Sequence, residues 1–239
     1  IPESITSIAY YAFEECYNLS TVYYNAVDCN TSFEEFKSLK NVVIGDSVQV
    51  IPSYFLYGCS GLTEITISNS VTTIGSYAFG GCSGLTEITI PNSVTSIGYC
   101  AFADCNGLTE VTISANVASI GEFAFGGCTR IKNVYAYPLV PPVLEISSFD
   151  VYVNDNATLH VVENCKSAYE KASAWRYFLL IVEDLEVGSG VQDAWAQNSS
   201  VRAYGDNGDI VVTGCNEGDC IAIYNSCGSM LHTKNAADN

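Results

Sequence analysis

ISNSVTTIGSYAFGGCSGLTEIT, residues 67–89, is followed without a gap by IPNSVTSIGYCAFADCNGLTEVT, residues 90–112. The two segments match at most positions, and the same pattern opens again at Ile44 and Ile113, always 23 residues from its neighbour. A fixed short period settles the architecture before any other question is asked. One copy has too little apolar surface to bury its own face, so copies stack into a solenoid in which each touches only its neighbours.

Read outward from that pair, the copies align in columns. Ile44, Ile67, Ile90 and Ile113 form one column, joined by Ile1, and Val48, Val71, Val94 and Val117 form the next, joined by Ile5. Ile8, Ile51, Ile74, Ile97 and Ile120 follow. A bulky column holds Phe13, Leu56, Phe79, Phe102 and Phe125, and a thiol column holds Cys16, Cys59, Cys82, Cys105 and Cys128. Leu39, Leu62, Leu85, Leu108 and Ile131 come next, then Val42, Ile65, Ile88, Val111 and Val134. Each core side chain therefore meets its own kind above and below.

Leu62–Ile67 and Val71–Ile74 are rich in β-branched residues and alternate apolar with polar, which predicts two short strands per copy. Ala78–Cys82 is too short for an isolated α-helix and predicts a helical or 3₁₀ turn. Column register implies that equivalent strands pair in parallel about 4.8 Å apart, so that six turns make a body roughly 30 Å long. Residues 24–43 form an irregular copy of 20 residues, with Phe36 at the cysteine position and no Ile-Gly or Ala-Phe pair. A looped turn is expected there.

The motif at Ile90–Phe102 resembles the consensus of BspA-type leucine-rich repeats, found in surface proteins of Bacteroides-like bacteria and some protists. Tyr24–Cys29 resembles a loop copy of that family. The resemblance implies a β-rich leucine-rich-repeat solenoid over residues 1–136, with short parallel strands and helical turns. It also extends to a C-terminal cap over residues 137–185. Physically, a stack needs such a cap to cover its unpaired edge and apolar end. Thr158–Val162 is expected to add a last strand, Lys166–Phe178 a helix, and Trp175 the cover over the core.

Residues 186–239 read as a linker at Gly188-Ser189-Gly190 and a small β tail. Strands are expected near Val201–Tyr204, Ile210–Thr213 and Ile221–Asn225, with turns at Asp206–Asp209 and Asn216–Asp219. This part is similar to the β-sandwich sorting modules that end secreted Bacteroidetes proteins, and lacks a strand or two of that pattern. Ile1-Pro2 falls at the first position of a copy, so an upstream piece with its signal peptide is expected to have been removed.

Composition narrows the function. Twenty-six acidic against 9 basic residues give a formal charge of −17, which argues against nucleic acid and anionic membrane surfaces. No segment reads as a membrane span. Eleven cysteines suggest disulfides in an exported chain, but one per copy at a constant position is a column of buried thiols. Cys215, Cys220, Cys227 and His232 in the tail are the one cluster with a metal-like look; a disulfide or plain structural cysteines explain it as well. His160 and His232 belong to no catalytic signature, and no phosphate-binding loop is present. The reading is therefore of a protein with no catalytic residues, no resident metal and no cofactor.

Two surface sets are candidate binding residues. Glu64, Glu87 and Glu110 form an acidic ladder beside threonine columns, and strand faces are the usual binding surface of a solenoid. Lys40 and Asn41, and Lys132, Asn133 and Tyr135, break the uniform pattern and set cations beside the acidic field. The resemblance implies a cell-surface or secreted interaction protein, outer-membrane associated, that adheres to host or bacterial surface proteins or glycans. A carbohydrate-binding module and a structural spacer for an upstream domain are the alternatives, and aromatic residues exposed together on one face would favour the carbohydrate reading.

Overall fold

The computed structural model describes residues 1–185, apart from positions 10, 11, 14, 28, 30 and 146, together with the backbone of four strands between residues 202 and 235. In chain order the strands of the stack are β1 (Thr21–Tyr24), β2 (Asn41–Ile44), β3 (Val50–Ile51), β4 (Glu64–Ile67), β5 (Thr73–Ile74), β6 (Glu87–Thr89), β7 (Ser96–Ile97), β8 (Glu110–Ile113), β9 (Ser119–Ile120), β10 (Asn133–Ala136) and β11 (Val143–Leu144). The cap follows with α1 (Val151–Asn156), β12 (Thr158–Val162), α2 (Lys166–Lys171), a 3₁₀ turn (Trp175–Tyr177) and β13 (Leu180–Leu185). Each turn of the solenoid has three faces. The first carries the longer strands, the second the two-residue strands, and the third a run of turns.

The expected parallel pairing is present, with the register that the columns require. Asn41 pairs with Glu64, Glu87 with Glu110 and Glu110 with Asn133 on the first face. Thr73 pairs with Ser96 and Ser96 with Ser119 on the second. The third face corrects the expectation of a 3₁₀ segment at Ala78–Cys82. Tyr77 and Gly81 are left-handed, with φ of 55° and 75°, which stops a right-handed helix from forming. Local turns close instead, with the Gly80 N–H donating to the Tyr77 carbonyl and the Cys82 N–H to the Phe79 carbonyl, each at 3.1 Å. Alternate N–H groups reach the next rung: Tyr77 to the Tyr99 carbonyl at 2.9 Å, Phe79 to Ala101 at 2.8 Å and Gly81 to Ala103 at 2.7 Å. A five-residue helix nucleus is unfavourable alone, whereas an inter-rung ladder repeats through every copy.

The Ile-Gly pair has a packing cause. A Cβ on Gly98 would lie 2.7 Å from the Ser76 nitrogen and 2.8 Å from the Gly75 carbonyl carbon, so the rungs nest too closely there for any side chain.

The columns are buried as expected from Leu39 onward except at Ile65 and Ile67, which are half-buried, and Cys59, Cys82, Cys105 and Cys128 are fully inaccessible free thiols. The first copy differs. Cys16 is exposed, and Ile1, Ile5, Ile8, Phe13 and Leu19 are only partly buried. The sequence reading also missed a role for the thiols. Cys82 Sγ donates to the Leu56 carbonyl at 3.2 Å, Cys105 to Phe79 at 3.0 Å and Cys128 to Phe102 at 3.0 Å. The column is thus a ladder of S–H···O bonds to the rung before. Thiol labelling of the native protein should modify Cys16 at once and the four buried cysteines only on unfolding without reductant. Disulfides among the four in a mass spectrum would sink that expectation.

Burial, followed by the charge of Glu34, pushes the Cys59 thiol from 9.0 up to about 12. Burial, followed by Cys29, pushes Tyr24 from 10.0 up to about 12, and burial moves Cys82 and Cys105 in the same direction. These groups are neutral when protonated, so the folded chain keeps protons that the unfolded chain releases. Their contribution is complete below the unfolded values near 9 and 10, and is lost as pH rises through the folded values near 12. The urea midpoint should therefore be level at pH 7–8 and decline above about pH 9. A midpoint unchanged to pH 11 would contradict protonated buried thiols.

The cap continues the first face by two strands, with Asn133 paired to Thr158 and Thr158 to Leu180. Asp150 caps α1 by accepting from the Tyr152 N–H at 2.8 Å. The helix expected over Lys166–Phe178 is broken: α2 ends at Lys171, and Ala174 is left-handed at φ 66°. A continuous helix would place Tyr169 and Trp175 on different faces, and the break lets both turn inward. Trp175 covers the core end as expected, fully buried, with its Nε1 donating to the Pro142 carbonyl at 2.8 Å. In the tail, β14 (Arg202–Asp206) pairs antiparallel with β15 (Asp209–Thr213), and β16 (Cys220–Tyr224) with β17 (Met230–Asn235). The last strand was absent from the sequence reading. The linker at 188–190, and the side chains of Cys215, Cys220, Cys227 and His232, lie outside what the structure describes.

Candidate binding surface

All the residues singled out for binding lie on the first face or at its edge, but they do not form one site. Asn41 and Asn133 stand four rungs apart through Glu64, Glu87 and Glu110. The two asparagines end the acidic ladder. Asn41 Nδ2 donates to Glu64 Oε2 at 3.3 Å and Asn133 Nδ2 to Glu110 Oε1 at 3.1 Å. Lys40 and Lys132 are exposed beside them. Tyr135 stacks on His160, with ring centroids 4.7 Å apart. His160 Nδ1 lies 2.8 Å from Asp184 Oδ2, and Nε2 lies 3.3 Å from Asn133 Oδ1. The last regular rung and the cap thus share one polar network, running from Glu110 through Asn133 and His160 to Asp184. His160 and Asp184 were not among the expected site residues, because their approach depends on the cap strands joining in register.

The first face is also interrupted. β1, β2 and β4 form one sheet, and β6, β8, β10, β12 and β13 another. Across the same boundary the second face stays paired, Thr73 with Ser96, and the Tyr77 N–H still reaches Tyr99 on the third. The pairing is interrupted on the first face alone, and Ile65 and Ile67 are half-exposed where their column neighbours Ile88 and Ile90 are buried.

A concave site lies elsewhere, beside the irregular copy. That copy keeps the third face, where the Phe33 N–H donates to the Phe55 carbonyl and Glu35 to Tyr57, both at 2.7 Å. Phe33 takes the bulky-column place, 23 residues before Leu56. What the shortening removes is the second-face strand, so β3 is the end strand of its sheet. Pro52 occupies the position of Gly75, whose N–H donates to the Ile51 carbonyl of the rung before at 2.9 Å. With no strand before it, that position needs no N–H, which is where a sheet admits proline. The space left is an open groove of about 560 Å³ between Val27, Cys29, Thr31, Ser32 and Glu34 on one side and the edge of β3 on the other. This lies within the size range of ligand sites.

From the groove an aromatic strip runs along the third face. Tyr54, at its start, stacks on Tyr77 with centroids 5.0 Å apart and planes at 10°. Tyr57 packs edge-on beside both, and the line continues to Tyr99 at 5.4 Å and Phe123 at 6.2 Å further. Tyr54, Tyr57, Tyr99 and Phe123 are 44%, 37%, 41% and 41% exposed. The Tyr77 hydroxyl interacts with Cys100 and Tyr99, which raises its pKa and keeps it protonated. Tyr54, Tyr77 and Phe123 have φ of 61°, 55° and 55°. Left-handed backbone costs a residue with a Cβ about 1–2 kcal/mol. The signal was present in the sequence at the two positions before Ala-Phe. It escaped because Tyr99 sits one position ahead of Tyr54, Tyr77 and Phe123 in its copy, so no single column shows it.

Among the described residues, no group of three or more His, Cys, Asp or Glu is placed to hold a metal ion, and no helix is long and apolar enough to cross a membrane. The family model described as "BspA type Leucine rich repeat region" matches residues 1–54 and 29–143, which together span residues 1–143 of 239. A leucine-rich repeat protein from Bacteroides ovatus is 33% identical, with a TM-score of 0.52 over 56% of this chain and 36% of its own. The pneumococcal vaccine antigen PcpA is 18% identical and shares the fold, with a TM-score of 0.60 over 75% of this chain and 44% of its own. This chain therefore spans less than half the length of either. No curated protein matches the sequence.

Proposed function

The chain belongs to the BspA-type leucine-rich-repeat family, and on that premise we propose that it is a non-enzymatic interaction protein of the cell surface or the secreted fraction, binding host or bacterial surface macromolecules through its repeats. Outer-membrane association after removal of a signal peptide belongs to the same reading. The observation that carries it is the last regular rung. There Lys132 stands exposed at the end of the acidic ladder, next to the Asn133–His160–Asp184 network and the Tyr135 ring stacked on it. A charge reversal beside a pre-positioned aromatic can orient a charged partner and offers contact area at low entropic cost.

The test compares two variants against a panel of immobilised host matrix proteins. Lys132→Ala with Tyr135→Ala should weaken binding more than Glu64→Gln, Glu87→Gln and Glu110→Gln together, with folding intact in both. The opposite order would make the acidic ladder the site and point to a basic or cation-bridged partner.

A further inference from the structure

Each of the four rungs from Ile44 onward has two left-handed positions on its third face, four residues apart. Glycine holds the second in three rungs, at Gly58, Gly81 and Gly127. At the first, where glycine would be equally free of strain, stand Tyr54, Tyr77 and Phe123. The fourth such position is Cys100, and there Tyr99 next to it supplies the ring. Large rings thus occupy the positions that tolerate them least, and most of their exposed surface forms one continuous strip. Backbone strain kept at a set of exposed side chains points to work done by those side chains, and so does a contiguous exposed apolar patch.

We propose that this strip, with the groove at its Tyr54 end, is a docking track for an uncharged glycan chain. The rings are amphipathic: tyrosine offers an apolar body and a polar tip, which complements the C–H faces and hydroxyl edges of a pyranose. Successive rings along the strip are 5.0, 5.4 and 6.2 Å apart, a repeat near that of an extended chain of β-linked sugars. The groove supplies the polar partners. Thr31, Ser32, Glu34 and Ser53 line it beside Pro52 and Tyr54, and Ser32 Oγ already donates to Glu34 Oε1 at 2.8 Å. The three hydroxyls each donate and accept and the Glu34 side chain accepts, a set that matches sugar hydroxyls, which also do both. A chain of charge −17 with no lysine or arginine among the described lining residues disfavours anionic glycans. The strip lies on a different face from the Lys132–Tyr135 rung, so the two readings stand or fall separately.

The experiment is affinity electrophoresis of the full chain in gels containing dissolved neutral β-glucan, α-glucan, mannan, xylan or galactan, with polygalacturonate as the anionic counterpart. At least one neutral polysaccharide should retard the protein, and polygalacturonate should not. Tyr54→Gly with Tyr77→Gly should weaken the retardation at least tenfold while the thermal midpoint holds or rises, since glycine relieves the left-handed backbone. Tyr152→Ala, at an exposed tyrosine of the cap away from the strip, should leave it unchanged. The proposal is overturned if no neutral polysaccharide retards the wild type, if polygalacturonate alone does, or if the double-glycine variant binds as before. A fall in its thermal midpoint with retardation intact would make the rings a cover for the turns. Binding of a proline-rich peptide to the same tyrosines, without binding of polysaccharide, would assign the strip to a different class of partner.

Discussion

Phe102→Ala should destabilise the protein by about 3–5 kcal/mol, as for other buried aromatic truncations, and should divide the stack. Phe102 is fully buried between two rings, 5.0 Å from Phe79 and 5.2 Å from Phe125, with planes inclined by 14° and 3°. The line continues to Phe149 in the cap, 4.9 Å beyond Phe125. Removing the central ring breaks two stacked contacts, each worth about 0.5–1.5 kcal/mol beyond its burial. In a molecule where each rung touches only its neighbours, the coupling between the two halves passes through that rung. Urea melts followed by circular dichroism should broaden or separate into two transitions. A single transition of unchanged steepness would show that rungs cooperate by a route that bypasses the phenylalanine column, such as the three backbone ladders alone.

The columns were legible because duplication repeats each burial decision. Ile74, Ile97 and Ile120 face the same environment, and one correct assignment carries the others. Chain direction and register followed from the same repetition. The third face was misread because propensity was weighed within one copy: Ala78–Cys82 looks like a helical turn until the carbonyls of the next rung are available to Tyr77, Phe79 and Gly81. The break in the first face between β4 and β6 has no mark in the sequence, since Leu62–Ile67 and Leu85–Ile90 are nearly identical. The groove had a faint one. Three residues missing from the irregular copy, and proline at a position otherwise filled by glycine, record the absence of a strand before β3. Lys40 and Asn41 stand out in sequence because they interrupt the strand-face columns, whereas Tyr54 lies on the turn face, where Tyr99 is offset by one position and no column forms.

The second large effect is expected at the other end of the stack. Trp175→Ala should cost about 3–5 kcal/mol from the lost ring, and the Pro142 carbonyl loses its buried donor, a further penalty of about 1–3 kcal/mol. Phe149, Tyr169 and Phe178 pack around the indole at 6.1, 5.2 and 6.1 Å, so the cavity is lined by rings anchored from both helical turns and the last rung. Trp175→Phe keeps most of the packing and removes the N–H, and should lose only the hydrogen-bond part. The distribution of the damage is the more informative measurement. Hydrogen exchange should show protection lost first in β12 and β13, whose pairing to β10 extends the first face into the cap, and only later in β5 and β7 near the middle. The cap would then act as a lid that sets where fraying begins. If protection fell equally at every rung, unfolding would be all-or-none from β1 to β13, and the splitting expected for Phe102→Ala could not occur either.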